Sequence, residues 1–442
     1  MSPILALILC VVFVLLMLRL ERKQLPYVTR ALWIPTIWML YAAGKPLAVW
    51  FRSSATPESS PLDRTFLIVL ICVALWILIQ RRFGWFSAMK ENPWLMVLII
   101  FMLVSILWSN IPKISFNRWV REFQAILMAF VVLSEPLPRQ AMESILRRTA
   151  YIHIPFSLLL IKYFPRYGVA YGRWEGGQTW TGVTSHKNGL GELCLIVVFF
   201  LVWTLVRRWQ GNNPPVWKYQ TYTEIFILVM AIWLLRGSGG RSYSLTSISA
   251  LGIGLLVYWG FCLISKFGIK LGSRTIMTIL AIIIIFGIII IFTGGSSVGS
   301  LASSAGRDAT LTGRTQVWAS LLPVALQRPI VGCGFGSFWT PITKKVFDIP
   351  TAHSGYLDVL LDLGFVGILL ISMFLLSSCR KAQRLLSHDF DWGTLWICYL
   401  IMAAVHNITE SSFNSLTSLP TAVILFLSVC STNVFSRRQQ CK

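Results

Sequence analysis

The amino-acid sequence predicts an all-α, polytopic integral membrane protein with about 12–13 transmembrane helices and one large external loop. Its 442 residues are 55% hydrophobic and only 13% charged, which is too apolar for a soluble protein of this size. Apolar runs of roughly 16 to 20 residues recur along the whole chain, and this is the length of a helix that crosses a hydrocarbon core about 30 Å thick.

About thirteen such runs are predicted to be the membrane helices. They are residues 3–20, 31–51, 65–80, 93–108, 119–133, 149–164, 189–206, 223–235, 244–264, 275–292, 355–378, 394–406 and 421–435. The second, fifth and twelfth runs carry the weakest signal. The first run lacks a basic segment before it and a small-residue cleavage site after it, so we interpret it as a retained helix rather than a signal peptide.

Basic residues at the helix ends predict the orientation. Every second connection is short and basic, beginning with Arg19, Arg22 and Lys23 and ending with Arg437 and Arg438. Because positively charged connections resist translocation, these are expected in the cytoplasm. The N-terminus is then outside and the C-terminus inside, although the loss of one weak helix would invert part of this topology.

The remaining connections are external and unusually basic. We divide the chain into an N-terminal helix bundle (residues 1–292), a large external loop (293–352) and C-terminal transmembrane helices (353–442). The external basic residues oppose the usual charge bias and indicate an anionic ligand on the outer face. They are Lys45, Arg52, Arg118, Arg121, Arg166, Arg173, Lys187, Arg236, Arg241, Arg307, Arg314 and Lys344.

Composition also excludes several functions. The net charge of +22 is spread over loops on both faces, so nucleic-acid binding is not expected. Cys333 is the one cysteine in the long external loop, and no C-x-x-C pair or histidine cluster has the spacing of a metal site. Asp389 and Asp391 form a D-x-D in a short cytoplasmic connection, which we interpret as a solvated turn.

One candidate phosphate contact lies in "TSHKNGLG". His186, Lys187 and Asn188 immediately precede a predicted helix, whose unpaired N–H groups and positive dipole end attract anions. The alternative is a polar cluster that ends a helix at the membrane interface. Glu192, one turn later, is placed to pair with Lys187 or to cap the helix.

A second candidate is the glycine-rich turn "GSGGRS". Glycines allow the backbone to approach a ligand closely, and a guanidinium binds phosphate oxygens in a bidentate manner. This predicts that Arg241 is a phosphate clamp. For Arg236 we favour snorkelling to lipid headgroups.

The long loop contains "TGRTQVWASLLPVALQRPIVGCGFGSF". Trp318, Leu321, Leu322 and Leu326 share one face of a predicted short amphipathic helix that begins near Arg314. The three glycines that follow are interpreted as a turn returning to the membrane, because no strand and helix surround them as a nucleotide-binding motif requires.

His353 ends the long loop at the start of the next apolar helix. A helix N-terminus disfavours the imidazolium, so the ring is expected to be neutral and able to accept a proton. A lone histidine at such a position is more often a cap or an interfacial residue. The external arginines nearby favour a catalytic role instead.

Taken together, six motifs resemble the O-antigen ligase and polysaccharide polymerase family, including exopolysaccharide polymerases of the ExoQ type. They are "TSHKNGLG", "GSGGRS", "TGRTQVW", "PIVGCGFGSF", "HSGYLDVLLDLGFVG" and "NITESSF", in this order between residues 108 and 413. The resemblance implies an enzyme of the bacterial inner (cytoplasmic) membrane whose active site faces the periplasm. Its donor would be an undecaprenyl-diphosphate-linked oligosaccharide, and the acceptor a hydroxyl of a glycan or of lipid A core.

The resemblance also implies residue roles. Arg241 and Arg314 would hold the diphosphate and neutralise the charge that develops on the leaving group, with Lys187 assisting. His353 matches the histidine that closes the large periplasmic loop and would activate the acceptor hydroxyl. Attack opposite the diphosphate would invert the anomeric centre, without a nucleotide, a metal or another cofactor. The further candidate substrate contacts are His186, Asn188 and Arg173.

Two alternatives remain open on the sequence alone. A ligase would join the glycan to lipid A core, whereas the "HKN" stretch favours an exopolysaccharide polymerase. A transporter or flippase for an anionic lipid or polysaccharide is the alternative of another class. Its inverted repeats are not evident, and Glu192, Asp358 and Asp362 are the few acids that could form a charged relay.

Overall fold

The computed structural model describes residues 1–25, 27–51, 60–171, 177–211, 218–239, 243–268, 273–293 and 314–430. The fold is all-α, as predicted, with 78% of the structure helical. Seven helices in the described part of the chain are long and apolar enough to cross a membrane. The protein is therefore a polytopic membrane protein.

The described part of the chain is built almost entirely from α-helices. They are α1 (Pro3–Gln24), α2 (Trp33–Ala43), α3 (Leu47–Trp50), α4 (Pro61–Gln80), α5 (Trp85–Lys90), α6 (Pro93–Val104), α7 (Pro112–Leu133), α8 (Pro138–Tyr163), α9 (Pro165–Gly168), α10 (Lys187–Trp209), α11 (Lys218–Leu235), α12 (Leu245–Lys266), α13 (Ser273–Phe292), α14 (Arg314–Ala325), α15 (Pro341–Phe347), α16 (Gly355–Leu386), α17 (Phe390–Thr409) and α18 (Leu419–Cys430). Short 3-10 helices cover Arg30–Leu32 and Ser105–Trp108. A two-stranded antiparallel hairpin joins β1 (Val169–Tyr171) to β2 (Gln178–Trp180).

The chain forms two compact units. Among the described residues, the first contains residues 1–84, 126–255 and 429–430, and its helix α8 packs against α1, α2, α10 and α11. Buried ion pairs join these helices: Arg148 Nε lies 3.1 Å from Glu21 Oε2, and Arg147 Nε lies 2.9 Å from Glu224 Oε1. Because burial removes the water around a carboxylate, a paired cation is needed to compensate for the cost of burying its charge.

The second unit contains residues 85–125 and 256–428. Within it α16 packs against α6, α13, α14 and α17. Gly364 interrupts α16 with a φ of +66° and a ψ of −162°. The start of the glycine-rich turn that contains Gly332, Gly334 and Gly336 packs into this interruption. The amides of Phe365 and Val366 donate to the carbonyls of Pro329 (2.7 Å) and Ile330 (3.1 Å). Only glycine fits there, because a Cβ would lie 2.3 Å from the Ile330 carbonyl oxygen.

Most predicted apolar runs coincide with one described helix, but the run at residues 31–51 does not. It is divided into α2 and α3 by Gly44, Lys45 and Pro46. The Lys45 ammonium is held by the carbonyls of Tyr167 (2.5 Å) and Gly182 (2.7 Å), and Pro46 lacks the N–H that a continuous helix needs. The expectation of one spanning helix here was wrong.

Of the long loop, residues 314–352 are described, whereas 294–313 lie outside the described residues. The predicted amphipathic helix is α14, and Trp318 and Leu321 are buried on its inner face with Ala325. Leu322 is half-buried. Leu326 follows the end of the helix and is 45% exposed, so its assignment to the buried face was wrong.

Candidate functional site

The backbone at His353 has an unusual conformation. Its φ of +50° lies in the left-handed region, which costs a residue other than glycine about 1–3 kcal/mol. The neighbouring residues are fixed on both sides. The Ala352 carbonyl accepts a hydrogen bond from Trp318 Nε1 (2.9 Å), and the Gly355 amide donates to the Glu410 carbonyl (2.9 Å). The chain therefore turns sharply at His353 before α16 begins.

A buried carboxylate lies between the two predicted site residues of this unit. The Arg314 guanidinium donates to Glu410 Oε1, and His353 Nδ1 lies 3.7 Å from Glu410 Oε2. The Glu410 side chain is 6% exposed, against 18% for Arg314 and 31% for His353. The acid is thus the inner member of the group, and the histidine is the most accessible to a substrate.

Electrostatics keep Glu410 ionised. Burial raises the pKa of its carboxyl, but the Arg314 guanidinium and the nearby His353 lower it by more, so the pKa falls to about 2. A carboxylate accepts but cannot donate, so it favours the imidazole tautomer with the proton on Nδ1. Nε2 then carries the lone pair that a general base needs. At 3.7 Å the two groups are beyond hydrogen-bond distance and would have to close to form one.

The motif "NITESSF" positions Glu410. Asn407 Nδ2 donates to the Ala403 carbonyl (2.8 Å) and to Ser412 Oγ (2.7 Å), and its Oδ1 accepts from the amides of Ser412 (2.9 Å) and Phe413 (2.8 Å). The whole carboxamide is used to hold the turn after α17. A Cβ on Gly355 would lie 1.9 Å from Asn407 Oδ1. The start of α16 therefore packs directly against the turn that carries Glu410.

Two acids of α16 hold the loop that precedes His353. Asp358 Oδ1 accepts from Trp339 Nε1 (2.7 Å) and from the Ala352 amide (3.1 Å). Asp362 Oδ1 accepts from the amides of Ser337 (3.1 Å) and Phe338 (3.0 Å). These contacts make Asp358 and Asp362 anchors for the loop. Asp358 and Asp362 therefore give no support to the charged relay that a transporter would need.

Arg118 of α7 supports the same loop. Its guanidinium donates to the Gly336 carbonyl and, at 3.4 Å, to the Trp339 carbonyl. Gly332, Gly334 and Gly336 all have positive φ, so the glycine-rich segment is a turn, as predicted. On the sequence alone, Arg118 is one of the external basic residues that indicate an anionic ligand. In the structure its guanidinium contacts backbone carbonyls of the loop.

Three of the remaining predicted residues, His186, Lys187 and Asn188, are described in the first unit. His186 caps the N-terminus of α10, where its Nδ1 accepts from the Gly189 amide at 3.0 Å. Lys187 and Asn188 occupy the first turn of that helix and are half-buried. This places the "HKN" stretch at a helix start, as expected. Arg241 and Arg173 lie outside the described residues.

Sequence reasoning missed Glu410 as a site residue. It lies within a motif that supports the resemblance, and it is one of 17 acids in a chain with 39 Lys and Arg. The signal available in the sequence was the scarcity of acids together with the position of this one beside an apolar helix. Among the described residues, no group of His, Cys, Asp and Glu could hold a metal ion.

Two comparisons with known proteins cover part of the chain. Residues 226–372, which include Arg314 and His353, match the family model described as "O-Antigen ligase". The "Exopolysaccharide production protein ExoQ" of Rhizobium meliloti (strain 1021) is 23% identical over 317 residues, which cover 67% of this chain and 67% of the relative. The range matched by the family model contains four of the six motifs, from "GSGGRS" to "HSGYLDVLLDLGFVG". The chain is therefore similar to the O-antigen ligase and polysaccharide polymerase family over the matched part of its length.

Proposed function

We propose that the protein is a glycosyltransferase that uses an undecaprenyl-diphosphate-linked oligosaccharide as donor and extends a polysaccharide at the periplasmic face. The observation that carries the proposal is the placement of His353 beside the buried Glu410 carboxylate, with Arg314 on the other side of that acid. A base, an orienting acid and a fixed cation are what transfer from a lipid diphosphate to a hydroxyl requires.

In this mechanism Glu410 orients His353, and the imidazole closes onto the carboxylate when substrate binds. His353 Nε2 removes the proton from the acceptor hydroxyl as the acceptor oxygen forms a bond to the anomeric carbon. The bond between that carbon and the diphosphate oxygen breaks, and its electron pair stays on the diphosphate. Arg314 stabilises the charge on this leaving group, and we assign the same role to Arg241. The step needs neither a metal nor a cofactor.

The acceptor distinguishes two forms of this activity. The relative's name refers to exopolysaccharide production, which favours polymerisation with a second carrier-linked glycan as the acceptor. The family description refers to O-antigen ligase, for which the acceptor would be lipid A core. We place the protein in the bacterial inner membrane with its site at the periplasmic face, where either acceptor is presented.

Reconstitution tests the proposal. The full-length protein in liposomes is given a short undecaprenyl-diphosphate oligosaccharide and no other acceptor, and the products are separated by size. A ladder of products is expected for a polymerase. A single joining event that requires added lipid A core would establish a ligase instead. No product with either acceptor would contradict the proposed transfer.

A further inference from the structure

One cavity of the second unit has no role in the proposed transfer step. It has a volume of about 510 Å³ and is lined by the end of the 3-10 helix, at Trp108 and Asn110, and by the beginning of the glycine-rich turn, at Arg328, Val331 and Gly332. This size is within the range of about 300–1,000 Å³ for small-ligand sites.

The walls of this cavity are held in place before any ligand binds. Trp108 Nε1 donates to the Val331 carbonyl at 3.4 Å, and the Trp108 ring lies 6.1 Å from that of Phe101. The Asn110 amide donates to Ser337 Oγ at 3.1 Å. Gly332 has a φ of +65°, and a Cβ there would lie 2.5 Å from the Asp362 backbone. The cavity is therefore a fixed feature of the fold rather than a gap between mobile side chains.

The side chains around the cavity have the chemistry of a saccharide site. The indole of Trp108 offers an apolar face for the C–H groups of a sugar ring. The exposed Asn110 carboxamide can donate to and accept from hydroxyls. Arg328 is exposed, and its guanidinium pairs with no carboxylate in the part of the chain that the structure describes. A guanidinium in this position is suited to a planar anion such as a carboxylate.

We propose that this cavity binds a carboxylate-bearing sugar residue of the acceptor glycan, with the ring on Trp108 and the carboxylate on Arg328. The inference rests on the proposed function, because it assumes a glycan acceptor.

The cavity connects to the candidate site through a short, hydrogen-bonded segment. Gly332 and Ser337 lie at the two ends of the turn that Asp362 holds. Trp339, two residues further on, shares Asp358 with Ala352, the neighbour of His353. Occupation of the cavity would therefore place the acceptor on the same fixed loop that carries the base.

Binding to the full-length protein in nanodiscs tests this inference. The probes are a glucuronate-containing tetrasaccharide and its carboxyl-reduced form, measured by calorimetry. With the acidic probe, Arg328→Gln is expected to weaken binding by about tenfold relative to the parent. The same variant should bind the reduced probe as the parent does. Trp108→Ala should weaken binding of both probes, and Trp108→Phe should restore part of the loss because the ring is kept.

The matched control is Lys344→Gln, which removes another exposed cation of the same loop and should bind both probes like the parent. Three results would overturn the inference. The first is that the parent fails to bind the acidic probe, and the second is that Arg328→Gln weakens binding of both probes equally. The third is that anionic lipid in the nanodisc abolishes the difference in binding between the parent and Arg328→Gln. The last result would identify a headgroup contact. The liposome transfer assay on the same preparations reports separately on the proposed function.

Discussion

At the scale of single residues, the central feature is the acid that joins the two predicted functional groups. Arg314 and His353 are recognisable from their motifs, but their separation in sequence gives no indication that they share a partner. Glu410 lies 57 positions after His353, and the packing of α16 against both α14 and α17 brings the three together. A contact between distant segments cannot be read from the periodicity of one chain.

Replacement of Glu410 tests the orienting role. In Glu410→Gln the side chain keeps its shape but loses its charge. The His353 tautomer with the proton on Nδ1 is then no longer favoured, and Arg314 loses its ion-pair partner. The rate of transfer is expected to fall by about 10- to 100-fold, as for other supporting carboxylates, with a smaller change in donor binding. The measurement is single-turnover transfer together with a donor-binding assay.

Asp348→Asn is the matched control, because Asp348 is an exposed acid of the same loop and asparagine tolerates its φ of +52°. Its rate should equal that of the parent. A Glu410→Gln enzyme as fast as this control would exclude an orienting role.

The low pKa of Glu410 predicts how stability changes with pH. Its pKa is about 2 in the folded protein, below the usual value of about 4.3, so the ionised acid stabilises the fold at neutral pH. This contribution is complete above the unfolded pKa and is lost as the pH falls towards about 2. Thermal unfolding at pH 7 and pH 3 should show the difference between the parent and Glu410→Gln narrowing at the lower pH. A constant difference would contradict the assigned charge state.

At the scale of elements, the sequence predicted helices better than their interruptions. The long apolar runs of α1, α10 and α13 were placed within a few residues, because length and hydropathy decide whether a helix crosses a membrane. The break at Gly364 was not predicted, although "DLGFVG" contains the glycine. A glycine in an apolar helix is common, and its positive φ depends on the turn at Pro329 and Ile330 that packs into the break.

The contact between α16 and the turn after α17 can be tested at Gly355. A methyl group there would lie 1.9 Å from Asn407 Oδ1, so Gly355→Ala should separate the two elements and move Glu410 away from His353. Transfer should fall by at least about tenfold, because a displacement of about 1 Å near a reacting group has large effects. The variant should still assemble in the membrane.

Gly260→Ala serves as the control, since nothing lies within 4 Å of the added methyl in α12. It should leave transfer and thermal stability unchanged. Equal activity of Gly355→Ala and Gly260→Ala would show that the close contact does not position the site.

At the scale of the whole molecule, the basic residues at the helix ends predicted which connections face the cytoplasm. The positions of the helices alone do not determine this orientation. The second predicted run is divided into two short helices, and one helix gained or lost inverts the side assigned to every later connection. The assignment of residues 314–352 to the periplasmic face is therefore a separate prediction from the fold. It follows from the basic connections, including the one at the end of α16.

Cysteine labelling tests this topology. Lys345→Cys places a thiol on exposed α15, and Arg384→Cys places one at the exposed C-terminal end of α16, which we predict to be cytoplasmic. An impermeant maleimide should label Lys345→Cys in intact spheroplasts and Arg384→Cys only after lysis, above the signal of the native thiols in the parent. The reverse pattern would place the candidate site in the cytoplasm.

The measurement that tests the proposed mechanism most directly is single-turnover transfer by His353→Asn in liposomes, with donor binding measured on the same protein. Asparagine tolerates the φ of +50° at this position but cannot act as the base. The mechanism predicts a rate lower by about 10²- to 10⁴-fold and donor binding equal to that of the parent. An unchanged rate of transfer would contradict the assignment of His353 as the general base.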